Sequence, residues 1–252
     1  REDAERLLRE FMQRAYRRPV EEGNVQIFLG VINRQMGAGL GFAGAMLAGY
    51  TAVLASPEFV YVRQKPGRLD DYALISRLSY FIWSSMPDEE LSNLAEAHKL
   101  HEPGVLHAQV ERMLRDPKAK AFTENFTGQW LGLRAIDATA PDRTLYPEYD
   151  DILKTASVKE TVLFFDEVLQ NDLSLVSFVA ADFTFLNARL AKHYGIPGGA
   201  GTEMRKVTLP PGSHRGGVLT MASVLKVTAN GTTTSPIIRG AWVLERILGT
   251  PP

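Results

Sequence analysis

Residues 71–85, DYALISRLSYFIWSS, decide the fold class that this sequence predicts. Apolar side chains recur there at the three- and four-residue spacing of one helix face, at Leu74, Ile75, Leu78, Phe81 and Ile82. Asp70 or Asp71 is placed to cap the N-terminus of this helix. Because helical spacing recurs along most of the chain, we expect an all-α fold: an irregular multi-helix bundle with a few short extended connectors.

The other face of the same helix carries Tyr72, Tyr80 and Trp83 among serines. Aromatic rings beside hydroxyls are typical of sites that bind a sugar or a quinone, so these three are candidate ligand-facing residues. A helix that is buried on both sides gives the same pattern, with its tyrosine and tryptophan polar atoms hydrogen-bonded inside the protein. The pattern favours burial.

The sequence on both sides of this helix predicts further helices. Those before it span residues 4–16, 21–35 and a glycine-rich stretch that ends before Pro57. Those after it span residues 87–100, 104–116, 120–133, 149–170, 185–196, 218–225 and 236–248, and 149–170 is the longest. The predicted extended pieces are short, at 58–63 and 206–209.

Residues 36–55 carry no charge and have the length of a membrane-spanning helix. Gly37, Gly41 and Gly44 have a spacing that is typical of close helix packing. The alternative is a helix that is buried inside the bundle. Five glycines and few large aliphatic side chains make the stretch a poor candidate for insertion into lipid, so we expect a buried helix and no membrane span.

The bulk composition excludes several classes of function. The formal net charge is −1 and charged residues make up 23% of the chain, which does not fit a nucleic-acid-binding protein. Cysteine is absent, which excludes disulfides, thiolate metal sites and covalent haem attachment within these residues. The chain begins at Arg1 without a signal peptide and ends at Pro252, so we expect it to be an internal part of a longer protein.

Long strings of this sequence resemble three companion families. Four strings resemble the planctomycete-type domain of unknown function 1592: LDDYALISRLSYFIWSSMPDEELSNLA, VERMLRDPKAKAFTENFTGQWLGLRAID, ETVLFFDEVLQNDLSL and DFTFLNARLAKHYGI. AERLLREFMQRAYRRPV resembles domain 1595, and HRGGVLTMASVL with TSPIIRGAWVLERILGTPP resembles the start of domain 1588. The resemblance predicts helical domains at 1–66 (1595) and 67–198 (1592), and a truncated domain 1588 at 199–252.

The resemblance indicates the kind of protein in which such domains occur, rather than a biochemical activity. Such modules are found in large, exported bacterial proteins that often carry a cytochrome c domain with a C-x-x-C-H motif. We therefore expect an extracytoplasmic location, periplasmic or at the cell surface, with c-type haem in a neighbouring domain and none in this chain. The first hypothesis is a non-catalytic structural and interaction module that docks on that haem domain. The alternative is a ligand-binding or catalytic domain that acts on an extracellular polymer such as a polysaccharide.

The best candidate site is the stretch ANGTTTSPIIRG at residues 229–240. Ser235 is a good helix N-cap, Pro236 suits the first helical position, and Asn230-Gly231 indicates a turn. A turn and a cap do not require three consecutive threonines, or Arg239 in the first helical turn. An anion such as a neighbouring domain's carboxylate or a haem propionate would suit these groups.

Two neighbouring features extend this candidate surface. His214 and Arg215 precede Gly216-Gly217, which permits close approach of the backbone to a partner; the alternative is a polar loop that enters a helix. Trp242 lies off the predicted apolar face of the last helix and between two arginines, so it is a candidate docking residue. The alternative is a core residue that packs against a further domain outside this sequence. The candidate anion- or partner-binding residues are therefore His214, Arg215, Ser235, Arg239 and Trp242.

The remaining polar clusters carry weaker hypotheses, and the sequence assigns no catalytic residue. Glu160 could pair with Asp166 or Glu167 in glycoside chemistry, but a solvated helix face is the default interpretation. His98, His101 and His107 straddle a helix end and a turn, so we do not expect a common orientation or a metal site.

Overall fold

The computed structural model describes residues 2–61, 66–197 and 199–252. These residues form twelve α-helices and one two-stranded sheet, which confirms the predicted mostly helical, irregular fold. The chain divides into two compact units, up to Met113 and from Leu114. The division falls inside the predicted domain 67–198, so the compact units do not follow the family boundaries predicted from the sequence.

The first unit contains seven helices. They are Glu2–Tyr16 (α1), Glu22–Gly37 (α2), Phe42–Leu54 (α3), Pro57–Val60 (α4), Asp71–Trp83 (α5), Glu89–Glu96 (α6) and Val105–Arg115 (α7), the last of which runs just past the division. The helices α1, α2 and α3 share one core, built around Leu8, Met12, Val25, Ile32 and Val53.

The close-packing glycine of this core is Gly49. A β-carbon at Gly49 would collide with the side chain of Ile32, whereas the positions at Gly37 and Gly41 are open. A β-carbon at Gly44 would meet only Leu40, which is four residues earlier. The close-packing interpretation of those three glycines was therefore wrong, because α2 and α3 approach each other one helical turn further along.

Residues 36–55 do not form one long helix. The helix α2 ends at Gly37 and α3 begins at Phe42, so only 13 continuous residues are helical, about 20 Å of length. Within the described ranges, no helix is long and apolar enough to cross a membrane.

The predicted extended piece at 58–63 was wrong in its first part. Pro57–Val60 is a single helical turn, because Ser56-Pro57 supplies a residue in extended conformation followed by a proline with a helical φ angle. Residues 62 and 63 lie outside the described residues.

The helix α5 begins as predicted but turns a different face inward. Asp70 is its cap, and its carboxylate accepts a hydrogen bond of 2.7 Å from the backbone N–H of Ala73. Ile75 and Ile82 are buried, whereas Phe81 is 59% exposed. The buried face includes the serine side of the helix, and Ser79 is fully buried and donates to the carbonyl of Ser85.

The second unit contains the longest helix and the sheet. Its helices are Lys120–Trp130 (α8), Asp151–Gln170 (α9), Ala188–Tyr194 (α10), Ala222–Val227 (α11) and Pro236–Arg246 (α12). The strands Phe183–Leu186 (β1) and Arg205–Thr208 (β2) pair antiparallel, with Phe183 opposite Thr208. The helix α9 packs against α8, α10, α11 and β1.

The strand β1 corrects the sequence-based prediction of a helix over 185–196. Phe185 and Leu186 belong to β1, and the helix begins only after Asn187, whose side chain caps it at the backbone N–H of Leu190. The extended piece predicted at 206–209 is confirmed as β2.

Candidate functional site

The 229–240 loop is a turn followed by a capped helix, and its own side chains explain most of its composition. Asn230 Oδ1 accepts hydrogen bonds from the backbone N–H groups of Thr232 (3.0 Å) and Thr233 (2.8 Å). Ser235 Oγ accepts a longer bond of 3.4 Å from the N–H of Ile238, as predicted for an N-cap. The turn and the cap are therefore confirmed as structural features.

Arg239 is held by hydroxyls rather than by an acid. Its Nε donates to Thr228 Oγ1 at 3.3 Å and its Nη2 donates to Thr234 Oγ1 at 2.8 Å. Among the described residues it forms no ion pair with a carboxylate. These contacts explain the third threonine, and they leave the arginine's charge without a negative partner in the first turn of α12.

The loop packs against residues 137–147. Gly231 has φ +95°, and a β-carbon there would collide with the carbonyl oxygen of Ala140, so this close approach requires glycine. The carbonyl of Gly231 accepts from the N–H of Asp142 at 2.9 Å. Tyr146 Oη also donates to the carbonyl of Thr232 at 3.0 Å. Together these bonds make one wall of a cavity.

This cavity has a volume of about 330 Å³, within the range of small-molecule sites. We call it the 229–239 cavity. Its walls come from the 137–149 segment, the first two turns of α9, the helix α11 and the loop itself. Its lining includes Glu148, Tyr149, Leu153, His193, Ala222, Leu225, Lys226 and Arg239.

Two of the polar side chains that line this cavity are unusual in their hydrogen bonding. Lys226 Nζ donates to three neutral oxygens, the carbonyls of Ile136 and Thr139 and the hydroxyl of Thr139, and forms no ion pair among the described residues. Burial lowers the pKa of Lys226. Tyr149 Oη is buried and has no hydrogen-bond partner in the described part of the chain, and burial raises its pKa.

Arg215 lies inside the second unit and away from this cavity. Its guanidinium carbon is 3.7 Å from the centre of the Tyr194 ring, and its Nη1 donates to the carbonyl of Thr220 at 2.9 Å. Gly216 (φ +154°) and Gly217 (φ +69°) pass so close to the backbone of residues 178–181 that a β-carbon at either would collide with it. The HRGG sequence therefore brings the backbone close to another part of the same chain, while His214 remains exposed.

The main residue that sequence reasoning missed is Glu160. It is 1% exposed, which corrects the default interpretation of a solvated face. Its Oε1 accepts from Thr184 Oγ1 and its Oε2 accepts from Tyr194 Oη, both at 2.6 Å. Burial raises the pKa of Glu160 to about 7, against the opposing effects of these two bonds and of the Arg215 charge.

A sequence signal for this burial was present. The buried face of α9 repeats at three- and four-residue intervals through Leu153, Ala156, Glu160 and Phe164, so Glu160 lies on the apolar stripe and not opposite it. Glu167 instead forms an ion pair of 2.6 Å with Lys206. Both carboxylate oxygens of Glu160 accept from Thr184 and Tyr194 rather than facing Asp166 or Glu167, so the structure offers no support for a carboxylate pair.

Trp242 faces inward. Its Nε1 donates to the carbonyl of Leu131 at 3.2 Å, and its ring packs against the buried cluster that contains Leu131 and Phe164. Trp242 therefore packs on the core of the second unit itself, whereas the sequence suggested an exposed arginine–tryptophan docking patch or a contact with a further domain. The opposite, aliphatic face of α12 is exposed: Ile237 is 86% and Leu244 is 39% accessible.

The three candidate aromatics of α5 are separated in the first unit. Trp83 is 3% exposed and donates from Nε1 to the carbonyl of Met113 at 3.0 Å, so its interpretation as a ligand-facing residue was wrong. Tyr80 is 41% exposed, and its hydroxyl accepts from Arg17 Nη1 at 2.9 Å. Tyr72 lines a cavity of about 590 Å³ together with Arg14 and Arg17. A ligand-facing role for Tyr72 and Tyr80 stays a prediction.

Two of the three clustered histidines share a partner. Asp71 has His98 Nδ1 at 3.3 Å and His101 Nε2 at 3.8 Å from its carboxylate oxygens. The expectation that these histidines differ in orientation was wrong for this pair, because the turn after α6 brings both of them back to the start of α5. No group of three or more acidic or histidine side chains that could hold a metal ion occurs in the described ranges.

The structure therefore does not assemble the predicted anion-binding set in one place. Arg239 lines the 229–239 cavity, and Ser235 caps the helix beside it. His214 and Arg215 line a separate open groove beside β2, and Trp242 belongs to the core. Of the five candidates, Arg239 is the one that lines the 229–239 cavity.

Comparison with family models identifies the chain. Residues 3–63 match a family described as Protein of unknown function (DUF1595), residues 69–196 match one described as Protein of unknown function (DUF1592), and residues 215–252 match one described as Protein of unknown function (DUF1588). Each match falls within the corresponding predicted region. No curated protein and no solved structure was found to match. The chain belongs to the DUF1592 family, with DUF1595 and DUF1588 segments on either side of the DUF1592 match.

Proposed function

We propose that this chain is a non-catalytic interaction module that docks on a c-type cytochrome domain. The families that it resembles are associated with such domains in large exported proteins. Since the chain has no cysteine, any thioether-linked haem belongs to a different polypeptide segment. The role of this chain is then to hold and position that segment.

The observation that carries the proposal is the exposed aliphatic face of α12. Ile237 and Leu244 lie seven residues apart on one side of the helix, with Ala241 between them, and Leu248 follows just after the helix ends at Arg246. Ile237, Leu244 and Leu248 are 86%, 39% and 61% exposed, and α12 buries none of its residues fully. Contiguous apolar surface of this kind is typical of interaction sites.

The opposite side of α12 is firmly anchored. Trp130 Nε1 donates to the carbonyl of Arg246 at 2.6 Å, and Trp242 Nε1 donates to the carbonyl of Leu131. The exposed face is therefore presented by a helix that is fixed at both its middle and its end. A rigid apolar helix face binds a partner at a low cost in conformational entropy.

Photo-crosslinking from α12 tests the proposal in the natural protein that carries this sequence. Benzoylphenylalanine replaces Ile237, and after irradiation the crosslinked peptides are identified by mass spectrometry. We expect crosslinks to a segment that contains a haem-bearing C-x-x-C-H motif, in a sample that shows a c-type haem absorption spectrum.

The matched control places the same crosslinker at Ile27, which is 62% exposed on α2. Crosslinks from position 237 to a polypeptide without haem, or the same haem crosslinks from position 27, contradict the proposal. The absence of a c-type spectrum in the natural protein contradicts it as well.

A further inference from the structure

A buried acid and a cation line the same small cavity in the second unit. The cavity has a volume of about 10 Å³, and its lining includes Glu160, Arg215, Thr184, Gly216 and Gly217. A space of this size holds nothing larger than a water molecule. The cavity is therefore no ligand site, and the groups that can move into it are its own lining side chains.

Arg215 is held at this cavity by neutral groups. Its guanidinium stacks on the Tyr194 ring, with its carbon 3.7 Å from the ring centre, and its Nη1 donates to the carbonyl of Thr220 at 2.9 Å. Among the described residues it forms no ion pair, although Glu160 lines the same cavity. Arg215 also lines the open groove beside β2, so one side chain borders both the groove and the buried acid.

Groups from several elements face Glu160 or its partners. Thr184 of β1 and Tyr194 of α10 donate to the two Glu160 oxygens, both at 2.6 Å. The start of α11 approaches through the backbone N–H of Ala222, which donates to Tyr194 Oη at 2.7 Å. Burial raises the pKa of Tyr194, so this hydroxyl stays neutral while Glu160 ionises. Within the described part of the chain, Arg215 is the charge that acts on Glu160.

Ionisation of Glu160 changes what Arg215 gains by moving. A buried carboxylate without a charged partner is costly, because the protein interior screens its charge far less than water does. A guanidinium that closes on it from the same cavity offsets much of that cost through a hydrogen-bonded ion pair. A neutral Glu160 offers no such gain, so Arg215 then keeps its contacts with the Tyr194 ring and the Thr220 carbonyl. Burial raises the pKa of Glu160 to about 7, so the change occurs near neutral pH.

We propose that Glu160 and Arg215 form a proton-controlled switch. While Glu160 is protonated, Arg215 stays on the Tyr194 ring; when Glu160 releases its proton to solvent, the guanidinium moves across the cavity and pairs with the carboxylate. This movement breaks the hydrogen bond to the Thr220 carbonyl and changes the wall of the groove beside β2. The switch does not involve the exposed face of α12, so it does not rest on cytochrome docking.

NMR of this chain with isotope-labelled arginine and tyrosine tests the movement between about pH 5.5 and pH 8.5. At low pH, the Arg215 protons that lie over the Tyr194 ring should be shifted upfield by the ring current and should show NOEs to the ring. We expect both signs of the ring contact to disappear together as pH rises, with a midpoint near 7. A ring contact that persists across this range overturns the proposal, because a change of charge without movement gives that result.

The variant Glu160→Gln should keep the arginine on the ring at every pH, since glutamine cannot ionise. Histidine is the other side-chain type that titrates near neutral pH, and His193 and His214 adjoin Tyr194 and Arg215 in sequence. The control variants His193→Gln and His214→Gln should therefore retain the wild-type transition. Loss of the ring contact with rising pH in Glu160→Gln, or its persistence in either histidine variant, assigns the transition to another group and overturns the proposal.

The carbon-13 signal of the Glu160 carboxyl group gives a second measurement, which needs no change at Glu160 itself. The variant Arg215→Gln should raise the midpoint of this titration by about one pH unit or more, because an adjacent opposite charge favours the ionised acid. The matched control Arg205→Gln, at an exposed position on β2, should leave the midpoint unchanged. An unchanged midpoint in Arg215→Gln overturns the pairing on which the switch depends.

Discussion

Replacing Glu160 with glutamine should make the second unit less sensitive to pH. Glu160 is almost fully buried between Thr184 and Tyr194, and its pKa is raised from 4.5 to about 7. The neutral acid is therefore the form that the folded protein prefers. Glutamine has nearly the same shape and, like the neutral acid, offers these hydroxyls one acceptor oxygen and one donor group, but it cannot ionise.

The sign and size of the effect follow from proton linkage. The folded state binds the Glu160 proton more tightly than the unfolded chain does, so the contribution of Glu160 to the free energy of unfolding is fully present below pH 4.5. This contribution falls as pH rises from 4.5 towards 7, and the free energy of unfolding no longer changes through Glu160 above pH 7. Each tenfold change in proton affinity is worth about 1.4 kcal/mol, so the total loss is about 3 kcal/mol.

Urea unfolding between pH 4.5 and pH 8 measures this loss. Trp130 and Trp242 both lie in the second unit, so their fluorescence reports on it when both proteins also carry Trp83→Phe. We expect Glu160→Gln to match the reference protein near pH 4.5 and to exceed its free energy of unfolding by about 3 kcal/mol at pH 8.

The matched control is Glu124→Gln, at an exposed position on α8, which should leave the pH dependence unchanged. A stability difference between Glu160→Gln and the reference protein that does not vary with pH would refute the reasoning. A difference that favours wild type as pH rises would mean that Arg215 and the two hydroxyls stabilise the carboxylate more than burial penalises it.

Three further substitutions test the packing and capping arguments, each by thermal and urea unfolding. Gly49→Val should destabilise the first unit by roughly 1–3 kcal/mol or more, because the added side chain overlaps Ile32, whereas Gly37→Val at an open position should cost far less. Gly217→Ala should cost at least about 1 kcal/mol, since φ is +69° and the new methyl group meets the backbone of residues 178 and 179; a neutral result would contradict this close approach. Asp70→Ala should cost about 1 kcal/mol through loss of the α5 cap, and Asp70→Asn should restore most of it.

Helix caps and turns could be predicted from the sequence, because each depends on one residue type at one backbone position. Asp70, Ser235 and the Asn230-Gly231 turn act in the structure as their chemistry predicts. These features depend on contacts within three residues, so the sequence contains all the information that they need.

Features that depend on distant partners could not be predicted in the same way. The strand β1 forms because Phe183–Leu186 pairs with residues about twenty positions later, and local spacing favours a helix there. For α12, the pattern showed an apolar face but not which side is covered; Trp242, off that face, is the side that packs inward. The hydroxyls that hold Arg239, on Thr228 and Thr234, are close to it in sequence, but the cavity that it lines depends on residues 141–149.

The buried cluster around Glu160 has a consequence for how these segments can be inherited. Glu160 and Tyr194 lie in the segment that matches DUF1592, whereas Arg215 and the glycines behind it lie in the one that matches DUF1588. A gene rearrangement that joined either segment to an unrelated neighbour would leave the carboxylate and phenol without the guanidinium in one product, and the guanidinium without them in the other. We therefore expect the two matched segments to be inherited together, even though separate family models match them.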